Sequence, residues 1–430
     1  MTSCLGSGDD VGYEFSSDAQ IISIGFSSRE DTLNVLPKVA FSINQVASAP
    51  TIFNKDSLPY LFDVSMAKMQ LNTNDASGIK LHLNNPDSVY IWNMTDSVMI
   101  SNLKNIEVYA QDGITKKMYT FILNTHQQDP DTIFWQNVES DYITTPIDQV
   151  TVSNKESFFT YYSANNTISL STSPITDGES WAAQPLVGLP QNVVFKSIQN
   201  HSIEESEVWC ALGTDNKVYI SQNGIDWEEQ ATNLPVISIL GRFPSFNSDF
   251  ILAIVKDGDK YKFAKTLNFS SMAVLNEIPS SFPVHDFAFT TVNIESINTA
   301  KYLIATGGRD IDGVQNSKVW MLQEDGDKIA ETSTTPSFDV KGSSLFNYDD
   351  KVYLLTSEDN KNQFYTSSTY GLVWEKASKK QSLPNGFLYR RNQSVNVDNI
   401  NNIWIFGGES PSQGQLVEVW KGRINKLFVE

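Results

Sequence analysis

Four histidines and six arginines limit the chemistry open to this 430-residue chain. Hydrolysis of a carboxylated sugar by a tyrosine nucleophile needs three arginines converging on the carboxylate, a glutamate behind the tyrosine and an acidic aspartate. Only Arg29, Arg242, Arg309, Arg390, Arg391 and Arg423 exist, and Arg29 stands far ahead of the rest. A copper-radical site needs converging His and Tyr ligands with a crosslinking Cys. His82 and His126 lie early in the chain, His201 and His285 fall in different repeat units, and Cys210 sits in an apolar run. No Ser-His-Asp spacing, phosphate loop or zinc motif is present. The acidic turns Arg309-Asp310-Ile311-Asp312-Gly313 and Asp325-Gly326-Asp327 lack the spacing and terminal Glu of an EF-hand, so they read as solvated loops. No catalytic residue, metal or cofactor is expected.

Charge narrows the partners. The chain carries 31 Lys+Arg against 50 Asp+Glu, a net charge of -19, which repels phosphate-rich surfaces and argues against nucleic acid. With 40% apolar and 19% charged residues it has the composition of a folded chain with a sizeable core. No run of 18 apolar residues suggests a spanning helix. Cys4 and Cys210 are too few for a disulfide framework. The leader Met1-Thr2-Ser3-Cys4-Leu5-Gly6-Ser7-Gly8-Asp9-Asp10 resembles the end of a bacterial lipoprotein signal, in which small residues precede an acylated Cys and a Ser/Gly/Asp tether follows. Cys4 is therefore the candidate lipid-attachment site, and a random Cys in a loose terminus is the alternative.

The elements that must position any site repeat along the chain. Six strand-like runs begin at residues 158, 208, 250, 302, 352 and 403, on average about 49 residues apart. Each is followed by turn residues, among them Asn165-Asn166, Asp257-Gly258, Gly307-Gly308 and Gly407-Gly408, and each is preceded by a proline and another extended stretch. Four strands (A to D) per unit and six units predict a six-bladed β-propeller.

Two motif types share this phase. Ser221-Gln222-Asn223-Gly224-Ile225-Asp226-Trp227, the segment from Ser367 to Trp374, and a looser copy at residues 176–181 resemble the Asp-box hairpin of sialidase-like propellers. Gly307-Gly308 with Val319-Trp320, and Gly407-Gly408 with Val419-Trp420, resemble kelch repeats. The third unit fits neither, with Met272 where a Trp is expected. Both motifs are structural devices, so the tryptophans are assigned to packing. The first unit opens Thr144-Thr145-Pro146-Ile147 and lacks the arginine that sialidases place there.

Residues 19–124 alternate in short strands, with a hairpin joining Ile106-Glu107-Val108-Tyr109-Ala110 to Met118-Tyr119-Thr120-Phe121-Ile122-Leu123 through Gln111-Asp112-Gly113, which predicts an immunoglobulin-like β-sandwich. Asn54-Lys55-Asp56-Ser57-Leu58-Pro59, and the strand ending at His126 before Asp129-Pro130-Asp131, resemble the N-terminal module of a family of surface lipoproteins from gut Bacteroidetes in which a kelch and Asp-box propeller follows. That resemblance spans nearly the whole chain and implies secretion, with no assigned reaction. The expected division is a tether over 1–16, the sandwich over 17–128 and the propeller over 132–430. Residues 424–429 are expected to form the outer strand of the sixth blade, in preference to Ile133-Phe134-Trp135-Gln136-Asn137-Val138 returning as a latch.

In such a ring, strand A lines the axis and the B–C and D–A loops form the mouth. The candidate binding residues are Arg242, His285, Arg309, Asp310, Asp312, Tyr389 and Arg390, with the loops 307–317 and 407–415 around them. The reading is an extracytoplasmic, surface-held, non-catalytic binding protein taking a glycan or protein ligand at the funnel and touching a membrane only through a lipid. A glycoside hydrolase or lyase with a non-standard catalytic set is the alternative.

Overall fold

The computed structural model describes residues 14–46, 49–84, 87–203, 206–294 and 300–426. Cys4 and residues 427–429 of the expected closing strand lie outside them. Two compact units emerge, Met1–Pro130 with Asn425–Glu430, and Asp131–Ile424. Regular structure is almost entirely β, and among the described residues no helix is long and apolar enough to cross a membrane.

The first unit is an immunoglobulin-like β-sandwich. Ile21–Ser27, Met66–Thr73 and Val98–Met99 make a three-stranded sheet. Phe41–Asn44, Thr51–Asn54, Lys116–Ile122, Leu103–Ala110, Ala76–Asn84 and Asp87–Trp92 make a six-stranded one, in that spatial order. Alternation along Ala76–Asn84 sends Ile79 and Leu81 into a core shared with Ile21, Ile52, Met69, Val108 and Tyr119. The predicted hairpin forms, with Asp112 Oδ1 accepting from the backbone N–H of Ile114 at 2.9 Å and Thr115 at 2.7 Å.

The second unit is a propeller of six four-stranded sheets. The inner A strands are Asp148–Ser153, Gln199–Ile203, Val236–Phe243, His285–Ile294, Ser344–Tyr348 and Ser394–Val397. Each touches the next around the ring, and the last touches the first, so the ring is closed. The six apolar runs of the sequence are the B strands, which are covered on both faces and therefore read as continuous apolar stretches. Seams between blades are filled by aromatic pairs. Trp209 meets Phe159 at 4.7 Å, Trp404 meets Phe158 at 5.0 Å and Trp320 meets Phe282 at 5.3 Å. Each such buried ring contributes about 1.5–3 kcal/mol by leaving water.

The bottom hairpins repeat one geometry. In three blades the Trp indole N–H donates to the carbonyl of the Gly three residues earlier: Trp181 to Gly178 at 2.8 Å, Trp227 to Gly224 at 3.2 Å, and Trp374 to Gly371 at 3.0 Å. The third blade keeps the turn with other residues. Phe269, fully buried at φ 63°, takes the Gly position, and buried Met272 stands where the indole would be.

Closure differs from expectation. Ile133–Glu139 pairs antiparallel with Val419–Ile424, matching Ile133 with Ile424 and Trp135 with Gly422, so the first strand of the unit is the outer strand of the sixth blade. Part of the reason is local. The chain stays extended from Val419 through Ile424 as strand C, which leaves no turn before residue 424 to start a new strand.

Candidate functional site

The A strands are edge strands, and their axis-facing backbone groups need partners. Side chains from neighbouring blades supply them. Asn200 donates to the carbonyl of Ser153 at 3.3 Å, Asn396 to Thr151 at 3.2 Å, Gln199 to Ile239 at 3.1 Å, and Asn347 to Thr291. Ser344 Oγ donates to the carbonyl of Gln393 at 2.7 Å, while the Thr151 N–H donates to Ser394 Oγ at 2.9 Å. The polar lining of the central cavity, about 230 Å³, is thus largely committed to joining the blades.

The mouth is different. Lys196, on the short turn Phe195–Ser197 ahead of the second A strand, reaches to the fourth and sixth blades. Its Nζ donates to the Asp286 carbonyl at 3.2 Å and to Asn392 Oδ1 at 2.8 Å. Lys196 lines both the central cavity and a second cavity of about 250 Å³ walled by the second, third and fourth blades. That second cavity also holds His285, Asp286 and Arg309, with Phe287 and Ile239 below them. Crowding by the walls lowers the Lys196 pKa from the ordinary lysine value, opposed by Asp286 and Asp148. The same crowding raises the Asp148 carboxyl, opposed by its own backbone contact at Gln149 and by Lys196, and reinforced by Asp286 and Glu409. Asp148 itself remains open to solvent.

The predicted residues divide. His285 and Arg309 face each other in register at the mouth, both exposed, and Arg309 forms an ion pair with Asp286. Asp310 is buried and its Oδ1 accepts from the N–H groups of Asp312 at 3.0 Å and Val314 at 2.8 Å, so it shapes its own loop, while Asp312 is exposed on that loop. Arg242, expected to face the channel, lines a cavity at its far end and not at the mouth, bonded to Asp249 at 2.7 Å, because it closes its A strand rather than opening it. Arg390 does not face the channel. Its guanidinium is fully buried, donating to the Leu388 carbonyl at 2.9 Å and the Gly407 carbonyl at 3.1 Å and pairing with Glu418. Tyr389 is half-buried beside it, ahead of the strand that lines the axis. Sequence reasoning missed Lys196, Asp286 and Asp148. The usable signal was that Asp148 and Asp286 begin or nearly begin an A strand.

Asp325-Gly326-Asp327 is the tight hairpin between Val319–Asp325 and Lys328–Thr334, and no metal-holding cluster occurs among the described residues.

Residues 17–123 match the model of a domain of unknown function, the DUF6242 N-terminal domain, and residues 129–430 match the DUF6242 beta propeller domain. The chain belongs to the DUF6242 family. No curated protein matches it. Among solved structures this DUF6242 chain is similar to one titled "Structure of YjhT", with 11% identity and a TM-score of 0.43 over 66% of this chain and 96% of that one. It is also similar to a thermostable family-43 glycoside hydrolase, with 12% identity and a TM-score of 0.30 over 67% and 91%. At these values neither likeness bears on chemistry.

Proposed function

We propose that the chain is a non-catalytic extracytoplasmic binding protein that holds a glycan or protein partner at the mouth of its propeller. One contrast carries the reading. Deeper in the channel the amides and hydroxyls are taken up by neighbouring blades, whereas Lys196, Arg309 and His285 surround an open cavity where, among the described residues, Lys196 bridges blades through neutral acceptors and Arg309 pairs within its own blade. The resemblance of the leader to a lipoprotein signal supports attachment through Cys4 at the surface of a Bacteroidetes cell. The repeated Trp-to-Gly bonds and the paired glycines support Asp-box and kelch ancestry for the blades. A glycan array run beside a hydrolysis screen on host and plant polysaccharides tests the reading: binding without turnover is expected.

One observation favours hydrolysis as the second reading. The crowded setting of Asp148 raises its carboxyl, with Lys196 opposing the shift and Asp286 and Glu409 adding to it, and acidic groups that influence one another near the mouth are the raw material of acid–base hydrolysis. Turnover that disappears in Asp148→Asn would establish that reading and remove the first.

A further inference from the structure

We propose that the mouth cavity takes a carboxylate, held between the Lys196 ammonium and the Arg309 guanidinium with His285 at the rim. This rests on the mouth being the binding end. Lys196 is half-buried and, among the described residues, its hydrogen-bond acceptors are both neutral, the Asp286 carbonyl and Asn392 Oδ1. Among the described residues no carboxylate oxygen lies within 4.0 Å of it. A cation withdrawn from water, given only neutral hydrogen-bond partners and offset by Asp286 and Asp148 only from beyond contact, is under-compensated, and an anion entering the cavity would complete it.

Arg309 is available for the same ligand. Its pair with Asp286 is solvent-exposed on both sides, 53% and 44%, so a competing carboxylate meets little resistance. Asp286 itself links the two cations, offering its carbonyl to Lys196 and its carboxylate to Arg309. The cavity lining therefore carries two positive charges against one negative in a chain whose net charge is -19, with Asp148 acting on Lys196 from outside that lining. Phe287 and Ile239 give the body of the ligand an apolar floor, and Thr214 and Asn216 offer polar contacts at the side.

Titration calorimetry on the full chain tests this with two acids and their neutral counterparts: a glucuronic-acid-terminated trisaccharide against its methyl ester, and a tripeptide with a free C-terminus against its amide. At least one acid is expected to bind about ten-fold or more tightly than its counterpart, and Lys196→Met to weaken it about ten-fold or more. Arg309→Gln is expected to weaken it several-fold, and Lys196→Arg to keep most of the affinity. Which acid binds identifies the source of the carboxylate. The exposed Arg309→Gln change carries the test if Lys196→Met melts early. Equal affinity for acid and counterpart, indifference to both Lys196→Met and Arg309→Gln, or no binding of either acid would overturn the proposal. Neutral array glycans that bind at the mouth regardless of Lys196 would leave the broader binding reading standing, and an array with no binder at all would remove that too.

Discussion

Trp135 stands opposite Gly422 in the sixth blade, and its indole occupies the space a Cβ there would need: such an atom would lie 2.5 Å from the ring. The indole also stacks on Phe364 of the fifth blade at 6.0 Å and donates to the Ser382 carbonyl at 3.1 Å. The closing strand is thereby fastened to two blades. Gly422→Val should displace the ring and cost about 1–3 kcal/mol, the usual penalty for overpacking. Urea unfolding should show the lowered midpoint, and limited proteolysis should cut residues 133–139 first. An unchanged midpoint would mean that the latch is not under load.

The B strands were legible because double burial makes them uninterrupted apolar runs, as in Phe250–Asp257. The A strands were less so, since residues such as Asn200 and Asn396 read as solvent-facing while they serve the next blade. Closure was misread because the decisive fit, Trp135 on Gly422, joins residues nearly a whole propeller apart and leaves no trace in local pattern.

Arg390 and Glu418 form a pair in which the arginine side chain is fully buried and the glutamate mostly so, at 17% exposure. Arg390 also lies over the Phe387 ring at 4.0 Å. Removing one partner strands the other charge. Glu418→Leu should cost about 3–5 kcal/mol, and Arg390→Met with Glu418→Leu together should recover part of that loss. A double-mutant cycle by chemical denaturation reads the coupling. Ligand binding at the mouth should be unaffected in any variant that remains folded.

The candidate site was half legible. His285 and Arg309 were found because a predicted strand start and a predicted loop put them at the mouth. Lys196 was not, because Val194-Phe195-Lys196-Ser197-Ile198 looks like one strand, and only the tight turn at Phe195–Ser197 swings the lysine across the opening. Arg390 and Arg391 are adjacent and indistinguishable by type. The first turns into the protein, while the second is half-buried and pairs with Asp339 at 2.9 Å.

Gly224 sits at φ 73°, and a Cβ there would approach Tyr161 Oη at 2.9 Å. That hydroxyl donates to the Gly224 carbonyl, which also receives the Trp227 indole at 3.2 Å. Gly224→Ala should therefore cost about 1–3 kcal/mol through backbone strain and crowding together. Trp227→Phe should cost about 1–2 kcal/mol by losing the hydrogen bond and some packing. Thermal melts of both variants check the order, and a neutral Gly224→Ala would refute the account of the hairpin.

His201 is buried at the far end of the channel, with Nε2 2.8 Å from Gln199 Oε1. Burial, with Arg242 adding to it, lowers its pKa to about 3. The unfolded chain protonates this imidazole near the ordinary value of about 6.5, so below that pH the unfolded state binds a proton that the native state refuses. Its contribution to stability is thus complete above about pH 6.5 and falls by roughly 1.4 kcal/mol per unit as the pH drops toward about 3. Between pH 7 and pH 5 this amounts to about 2 kcal/mol. His201→Gln, which cannot titrate, should lose correspondingly less stability over the same interval. Urea midpoints of both proteins at the two pH values decide the matter: parallel losses would show that His201 is protonated in the folded protein or that its burial is incomplete.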